Sequence, residues 1–426
     1  MENLDLAELY KQPPPNFGHD MLKHFAFDPG YINLNNGSYG ATPRPVLAAV
    51  NALSLQAEAN PDHFHRLGFQ PLLIDVRRRL AQLIGVDVDE VVLVANASIG
   101  LNIVLRNFEW EKGDTIIAFN TTYGSINKTV KNIGDVPPHP TIEQFVVQFP
   151  TTHKEIIASF KEFLAAHPNQ EGKKTVVVID SIVSNPGVLL PWKELVAICK
   201  GLGAWSVIDA AHSIGQETDL NLSAAQPDFW VSNCHKWLSA KRAAAVLYVP
   251  KRNQSIVKTS LPTSHAYISP ADRKEPNFVI QYEWNGTIDY TSYLSVAPAL
   301  DFRNWLGGEH KINAYCHDLA LKGGKRLAEI LGTRVMDPDG ELTLNMANVE
   351  LPFPGHILPT EEIDLKFKTK LLETHKAYSA HFYHNNRWWT RCSAQVWSEL
   401  EDFEKIGKIW LAVCNEVLEE LGLDKT

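Results

Sequence analysis

The chain has 426 residues, 45% apolar and 21% charged, enough for a large domain plus a smaller one and ordinary for a folded protein. Its formal charge of -9, unbroken by any run of lysines or arginines, excludes the electrostatic footprint of a nucleic-acid or anionic-lipid binder. The opening MENLDLAELYKQPPPNFGHD is acidic and lacks an apolar stretch, and nowhere do 18 apolar residues follow one another, so neither a secretion signal nor a membrane span is expected. Five scattered cysteines (Cys199, Cys234, Cys316, Cys392, Cys414) without CxxC spacing fit reduced thiols in a cytoplasmic enzyme.

In chain order, residues 1–29, proline-rich at Pro13 to Pro15, are expected to drape over a partner subunit or a smaller domain. From about 90 to 250, apolar, β-branched runs predict strands: VVLVANA from Val91, DTIIAF from Asp114, TVVVID from Thr175, AWSVID from Ala204, DFWVSN from Asp228 and AAAVLYV from Ala243. Amphipathic stretches such as Lys154 to Ala166 and Trp192 to Leu202 predict helices between them, and doubly buried strands alternating with helices imply an α/β fold with a mostly parallel sheet. Past Pro262 the pattern changes to a polar loop with Pro270 and Pro276, then helices at Ser295 to Leu306 and Lys311 to Leu331. A strand at Leu344 to Val349 and helices at Glu361 to Thr374 and Ser398 to Leu421 follow. The expected division is an N-terminal segment (1–29), a large domain (30–294) and a small α+β domain (295–426).

Loops after buried parallel strands are where such a sheet places ligands. After VVLVA comes Asn96-Ala97-Ser98-Ile99-Gly100, either an ordinary N-cap or a phosphate receptor built from free N–H groups and the Ser98 hydroxyl. After AWSVI comes Asp209-Ala210-Ala211-His212, where a strand-end carboxylate either caps a helix or pairs with a cationic ring nitrogen. After DFWVS comes Asn233-Cys234-His235-Lys236-Trp237; Lys236 is either a surface lysine or a desolvated amine able to form an imine with an aldehyde. Far downstream, Arg391 in RWWTRCSAQ suits either a structural ion pair or bidentate capture of a carboxylate. No GxGxxG or GxxxxGK[ST] is present. His63 with His65, or His381 with His384, offers two metal ligands at most, without an acidic or cysteine partner at a known spacing, so no metal site is expected.

The order of these signals, together with Asn33 to Ser38, Thr122-Tyr123-Gly124, Pro262 to His265 and Arg391 to Gln395, resembles the class V aminotransferase family of fold-type I pyridoxal 5′-phosphate enzymes. That family includes cysteine desulfurases and isopenicillin N epimerase-like proteins, and the likeness extends to fungal hercynylcysteine sulfoxide lyases and the loline-pathway enzyme. The resemblance covers nearly the whole chain. It implies pyridoxal 5′-phosphate as cofactor, Lys236 as the imine-forming lysine, Asp209 beside the pyridine nitrogen, His212 beside the phenolic edge and Tyr123 stacked on the ring. It further implies that Ala97, Ser98, Asn233 and His235 hold the phosphate, with Ser184 as a polar neighbour and Thr287 reaching the site of the other subunit of a homodimer. Arg391 would take the α-carboxylate of an amino-acid substrate, with Asn36 and Arg66 on the substrate side. The chain departs from its relatives at Gly286-Thr287-Ile288-Asp289, where many have GTRD, and at Ala243, where glycine is common.

The reaction implied is β-elimination from a cysteine-derived thioether or sulfoxide. The alternatives are epimerisation, desulfuration and cyclisation, and, from another class, a non-catalytic binding protein. Desulfurases use a mobile cysteine shortly before the carboxylate-binding arginine; here no cysteine lies between Cys316 and Cys392, which disfavours a persulfide route.

Overall fold

The computed structural model describes residues 5–168, 170–257, 267–269, 271–272 and 277–423. Pro262 to His265, Pro270 and Pro276 lie outside them. The strands in chain order are β1 (Ile32–Asn33), β2 (Val91–Val94), β3 (Thr115–Phe119), β4 (Thr141–Phe145), β5 (Thr175–Asp180), β6 (Trp205–Asp209), β7 (Phe229–Asn233), β8 (Ala245–Tyr248), β9 (Met346–Glu350), β10 (Ala377–Tyr378), β11 (Ala380–His384) and β12 (Arg387–Ser393).

Seven of these strands form one sheet in the order β2-β8-β7-β6-β5-β3-β4. Its pairings are parallel except those of β8, which runs antiparallel to both β2 and β7. Strands such as TVVVID are buried along their whole length, because alternate side chains feed two different cores. On one face Val176, Val178, Val207 and Val231 pack under helices α1 (Ala97–Asn107) and α2 (Gly124–Asp135). On the other, Val177, Ile179, Ile208 and Trp230 pack under α3 (His153–Ala166) and α4 (Trp192–Gly201). At roughly 1.5–3 kcal/mol for each large apolar side chain removed from water, these two layers fix the sheet and hence its strand ends.

A second unit packs β11-β12-β9, all antiparallel, against α5 (Gly308–Leu331) and α6 (Leu400–Leu421). The N-terminal segment joins it: β1 pairs with β10, the Gly18 N–H donates to the Val396 carbonyl, and the His19 N–H donates to the Glu399 carboxylate. Among the described residues, no helix is long and apolar enough to cross a membrane.

Candidate active site

The C-terminal ends of β2, β5, β6 and β7 open on a cavity of about 200 Å³. Ser98, Tyr123, Asp180, Ser184, Asp209, His212, Asn233, His235 and Lys236 are among the residues that line it. Parallel register places Asp180 of β5 directly beside Asp209 of β6. Gly40, at φ +67, lets the loop before residue 44 approach the His235-Lys236 backbone; a Cβ there would meet the His235 carbonyl oxygen at 1.7 Å.

Lys236 Nζ lies 3.0 Å from His212 Nε2, and the other ring nitrogen of His212 accepts the Trp237 indole N–H at 3.2 Å. Burial, reinforced by Arg391 and opposed by Asp209, lowers Lys236 to about 7, so a large share of it is free amine near neutrality. Burial holds His212 neutral, its basicity further lowered by Lys236, Arg391 and His235. Asp209 rises to about 6 through burial, against a hydrogen bond from the Ala211 N–H and the attraction of Lys236. Asp180, buried beside it, is pushed well above the usual carboxylate range, first by burial and then by the Asp209 charge. Of the two neighbouring carboxyls, Asp180 is the one held toward its protonated form: its Oδ2 is buried without a hydrogen-bond partner among the described residues, whereas Asp209 accepts the Ala211 N–H.

Arg391, on β12, is 1% exposed. Its partners are neutral: the Ser184 carbonyl at 2.5 Å, Asn35 Oδ1 at 3.0 Å and Ser38 Oγ at 2.9 Å. Its Nε is buried without a hydrogen-bond partner among the described residues, and burial lowers it to about 10. An enclosed guanidinium without a carboxylate is a costly arrangement that an anionic ligand relieves.

At the start of α1, Asn96 caps Ile99 N–H through its side chain, and Asn233 Oδ1 accepts the Ala97 N–H at 2.9 Å. Ala97 also lines the cavity, with its N–H engaged in that hydrogen bond. Ser98, whose hydroxyl accepts from Ser125 Oγ at 2.9 Å, stands where a phosphate would meet that helix start. His235 Nδ1 lies 3.0 Å from the Ala244 carbonyl, an acceptor, so Nδ1 carries the proton and Nε2 is the nitrogen left for a ligand.

Two expected residues do not join this cluster. Asn36 does not line the cavity: it is buried, and its Nδ2 donates to the Lys236 carbonyl at 3.4 Å, so it supports the lysine backbone while its neighbours Asn35 and Ser38 hold Arg391. Arg66 is exposed, pairs with Asp62 and lies outside the cavity lining. Thr287, expected to reach the site of a second subunit, is exposed. Conversely Asp180 and Trp237 belong to the site and were not singled out, although TVVVID ends in a strand-end carboxylate as AWSVID does. Among the described residues no group of three His, Cys, Asp or Glu could hold a metal ion; His381 Nε2 sits 3.0 Å from Asp364, and His384 Nε2 accepts the Phe149 N–H at 2.9 Å.

The model of the family described as Aminotransferase class-V matches residues 32–365. The chain belongs to that family. The L-cysteine desulfhydrase-like protein lolT1 of Epichloe uncinata is 32% identical, covering 95% of this chain and 98% of the relative. The hercynylcysteine sulfoxide lyase of Schizosaccharomyces pombe is 30% identical, covering 94% and 98%. The fold matches that of a cysteine desulfurase from Thermococcus onnurineus with a TM-score of 0.75 at 19% identity, over 95% of this chain and 100% of that one. As a class-V enzyme the chain uses pyridoxal 5′-phosphate, and the donor set fits it. An enclosed amine, a neighbouring carboxyl pair and a polar helix start face one cavity, and an unpaired guanidinium stands beside it.

Proposed function

We propose that the enzyme is a carbon–sulfur lyase that eliminates the β-substituent of a cysteine-derived thioether or sulfoxide, giving a thiol or sulfenate, pyruvate and ammonia. The cofactor, bound through Lys236, supplies an aldehyde and a cationic ring that withdraws electrons from the α-carbon. Asp209 keeps that ring nitrogen protonated, and Asp180, holding its own proton, leaves the Asp209 charge to do so. Ser98 and the Asn233 side chain would hold the phosphate, His235 would join them through Nε2 only when the phosphate charge protonates it, and Tyr123 and Ser184 would border the ring. Arg391 receives the α-carboxylate through Nε and fixes the α-carbon in front of Lys236. The Lys236 amine then takes the α-proton, which its lowered basicity permits near neutral pH. Departure of sulfur from the β-carbon and addition of one water balance the products.

The observation that carries this reading is the position of the thiols. All five cysteines are free and buried, and none lines the cavity. Cys392, beside Arg391 in sequence, is pushed up to about 12, chiefly by burial, so it offers no thiolate to accept sulfur. Elimination needs none. The two relatives named above, a desulfhydrase-like protein and a sulfoxide lyase, support the same direction.

Two subunits sharing their sites belong to this reading: Thr287 would complete the partner's phosphate site, and Tyr39, Leu55, Leu67 and Ile288 are exposed apolar side chains suited to such a contact. A cytoplasmic location fits the unpaired thiols. The test is incubation with S-alkylcysteines and their sulfoxides while pyruvate and ammonia are measured, followed by borohydride reduction and peptide mapping. Stoichiometric pyruvate and a label on Lys236 are expected. A racemised or cyclised amino acid without pyruvate would defeat the proposal.

A further inference from the structure

Trp237 is a buried side chain that the proposed reaction leaves without a task. It is fully enclosed, packed with Ile182 and Met346, and its indole N–H donates to His212 Nδ1. Gly215 makes the contact reachable: at φ +83 it lies so near the Trp237 backbone that a Cβ would approach the carbonyl carbon to 2.6 Å.

An indole N–H only donates, so His212 Nδ1 must present a lone pair. The neutral imidazole then carries its proton on Nε2, which faces Lys236 Nζ at 3.0 Å. An ammonium has three donors and no acceptor, so this hydrogen bond requires the free amine, with Nε2–H donating to the Nζ lone pair. The charged and titratable groups that face the pair are Asp209 at the end of β6, Asp180 at the end of β5, Arg391 on β12 and His235 beside Lys236. Of these, Asp209 favours the ammonium and Arg391 opposes it.

We propose that Trp237 is a positioning residue that locks His212 in its Nε2–H tautomer and so holds Lys236 as the neutral amine, the form that attacks the cofactor aldehyde once the hydrogen bond is released. This rests on Lys236 being the cofactor-bearing lysine but not on the reaction catalysed afterwards. In the attack, Nζ forms the new bond to the aldehyde carbon, the two amine protons leave with the aldehyde oxygen as water, and a C=N bond results. Without the indole N–H, His212 is free to carry its proton on Nδ1 and offer Nε2 as an acceptor, which stabilises the ammonium.

The experiment compares Trp237→Phe with the unsubstituted full chain, after the cofactor is stripped, and follows the rate of pyridoxal 5′-phosphate capture by absorbance as pH is raised. The expected result is a midpoint about one pH unit higher, hence ~tenfold slower capture on its acid side, with an unchanged alkaline plateau. In a His212→Phe background the second substitution should add nothing to the midpoint. A midpoint that Trp237→Phe does not move, or that it moves equally in both backgrounds, overturns the proposal. Should Trp237→Phe not fold, nitrogen NMR of His212 in the unsubstituted chain decides: a proton on Nε2 supports the lock, and one on Nδ1 overturns it. Failure of the Lys236 assignment itself has a separate signature, the absence of capture by the unsubstituted chain at every pH.

Discussion

Replacing Lys236 by methionine should make the cofactor-free protein more stable at neutral pH. Burial and Arg391 lower this amine from 10.5 to about 7. At ~1.4 kcal/mol per pH unit, the full difference corresponds to about 5 kcal/mol of penalty for the ammonium in the folded state. Lys236 borders the cavity, whose solvent screens part of that penalty, leaving on the order of 3 kcal/mol. The folded-state value lies below the unfolded one, so the native chain binds fewer protons between about 7 and 10.5. Its stability contribution is complete above 10.5 and lost as pH falls through about 7. Losing the Lys236 charge also raises Asp209 further above its value of about 6 in the variant, which offsets part of this advantage. Urea denaturation of both stripped proteins across that range should give a Lys236→Met advantage largest near pH 7 and vanishing near pH 10.5. Parallel pH curves, or a less stable methionine variant at pH 7, would refute the reasoning.

Arg391→Gln removes the only cation proposed to hold the α-carboxylate and should raise KM for amino-acid substrates about 10- to 150-fold, at roughly 1.5–3 kcal/mol for a charge-assisted bond, with a smaller change in kcat; steady-state pyruvate release measures this. Asp180→Asn, which mimics the protonated carboxyl, should leave activity at pH 7 within about threefold, whereas Asp209→Asn should lower it by orders of magnitude. Ala243 sits at φ +71, a backbone region that favours glycine, so Ala243→Gly should raise stability by about 1 kcal/mol in the same urea assay.

Long apolar runs made the sheet legible, since TVVVID, AWSVID and DFWVSN are strands buried on both faces and end where the chemistry gathers. The edge strand TIEQF at β4 escaped notice because only Phe145 of its five residues is fully buried. The strand RWWTRCS at β12 escaped because polar side chains interrupt its apolar pattern, even though six of its seven residues are buried. Strand-end position made Lys236, Asp209, His212 and His235 candidates with more than one reading each, the family resemblance chose between those readings, and the fold gathers all four around one cavity. The service of Asn35 and Ser38 to Arg391 could not, because that contact joins segments more than 350 residues apart and leaves no local pattern.

The residues that line the cavity all lie between Ser38 and Lys236, and the last strand of their sheet ends at Tyr248. The guanidinium proposed to receive the substrate comes from β12, far downstream of that sheet. Cofactor pocket and substrate clamp therefore sit on separate stretches of chain, so a substitution that loosens the packing of β12 should weaken substrate capture before it weakens cofactor binding.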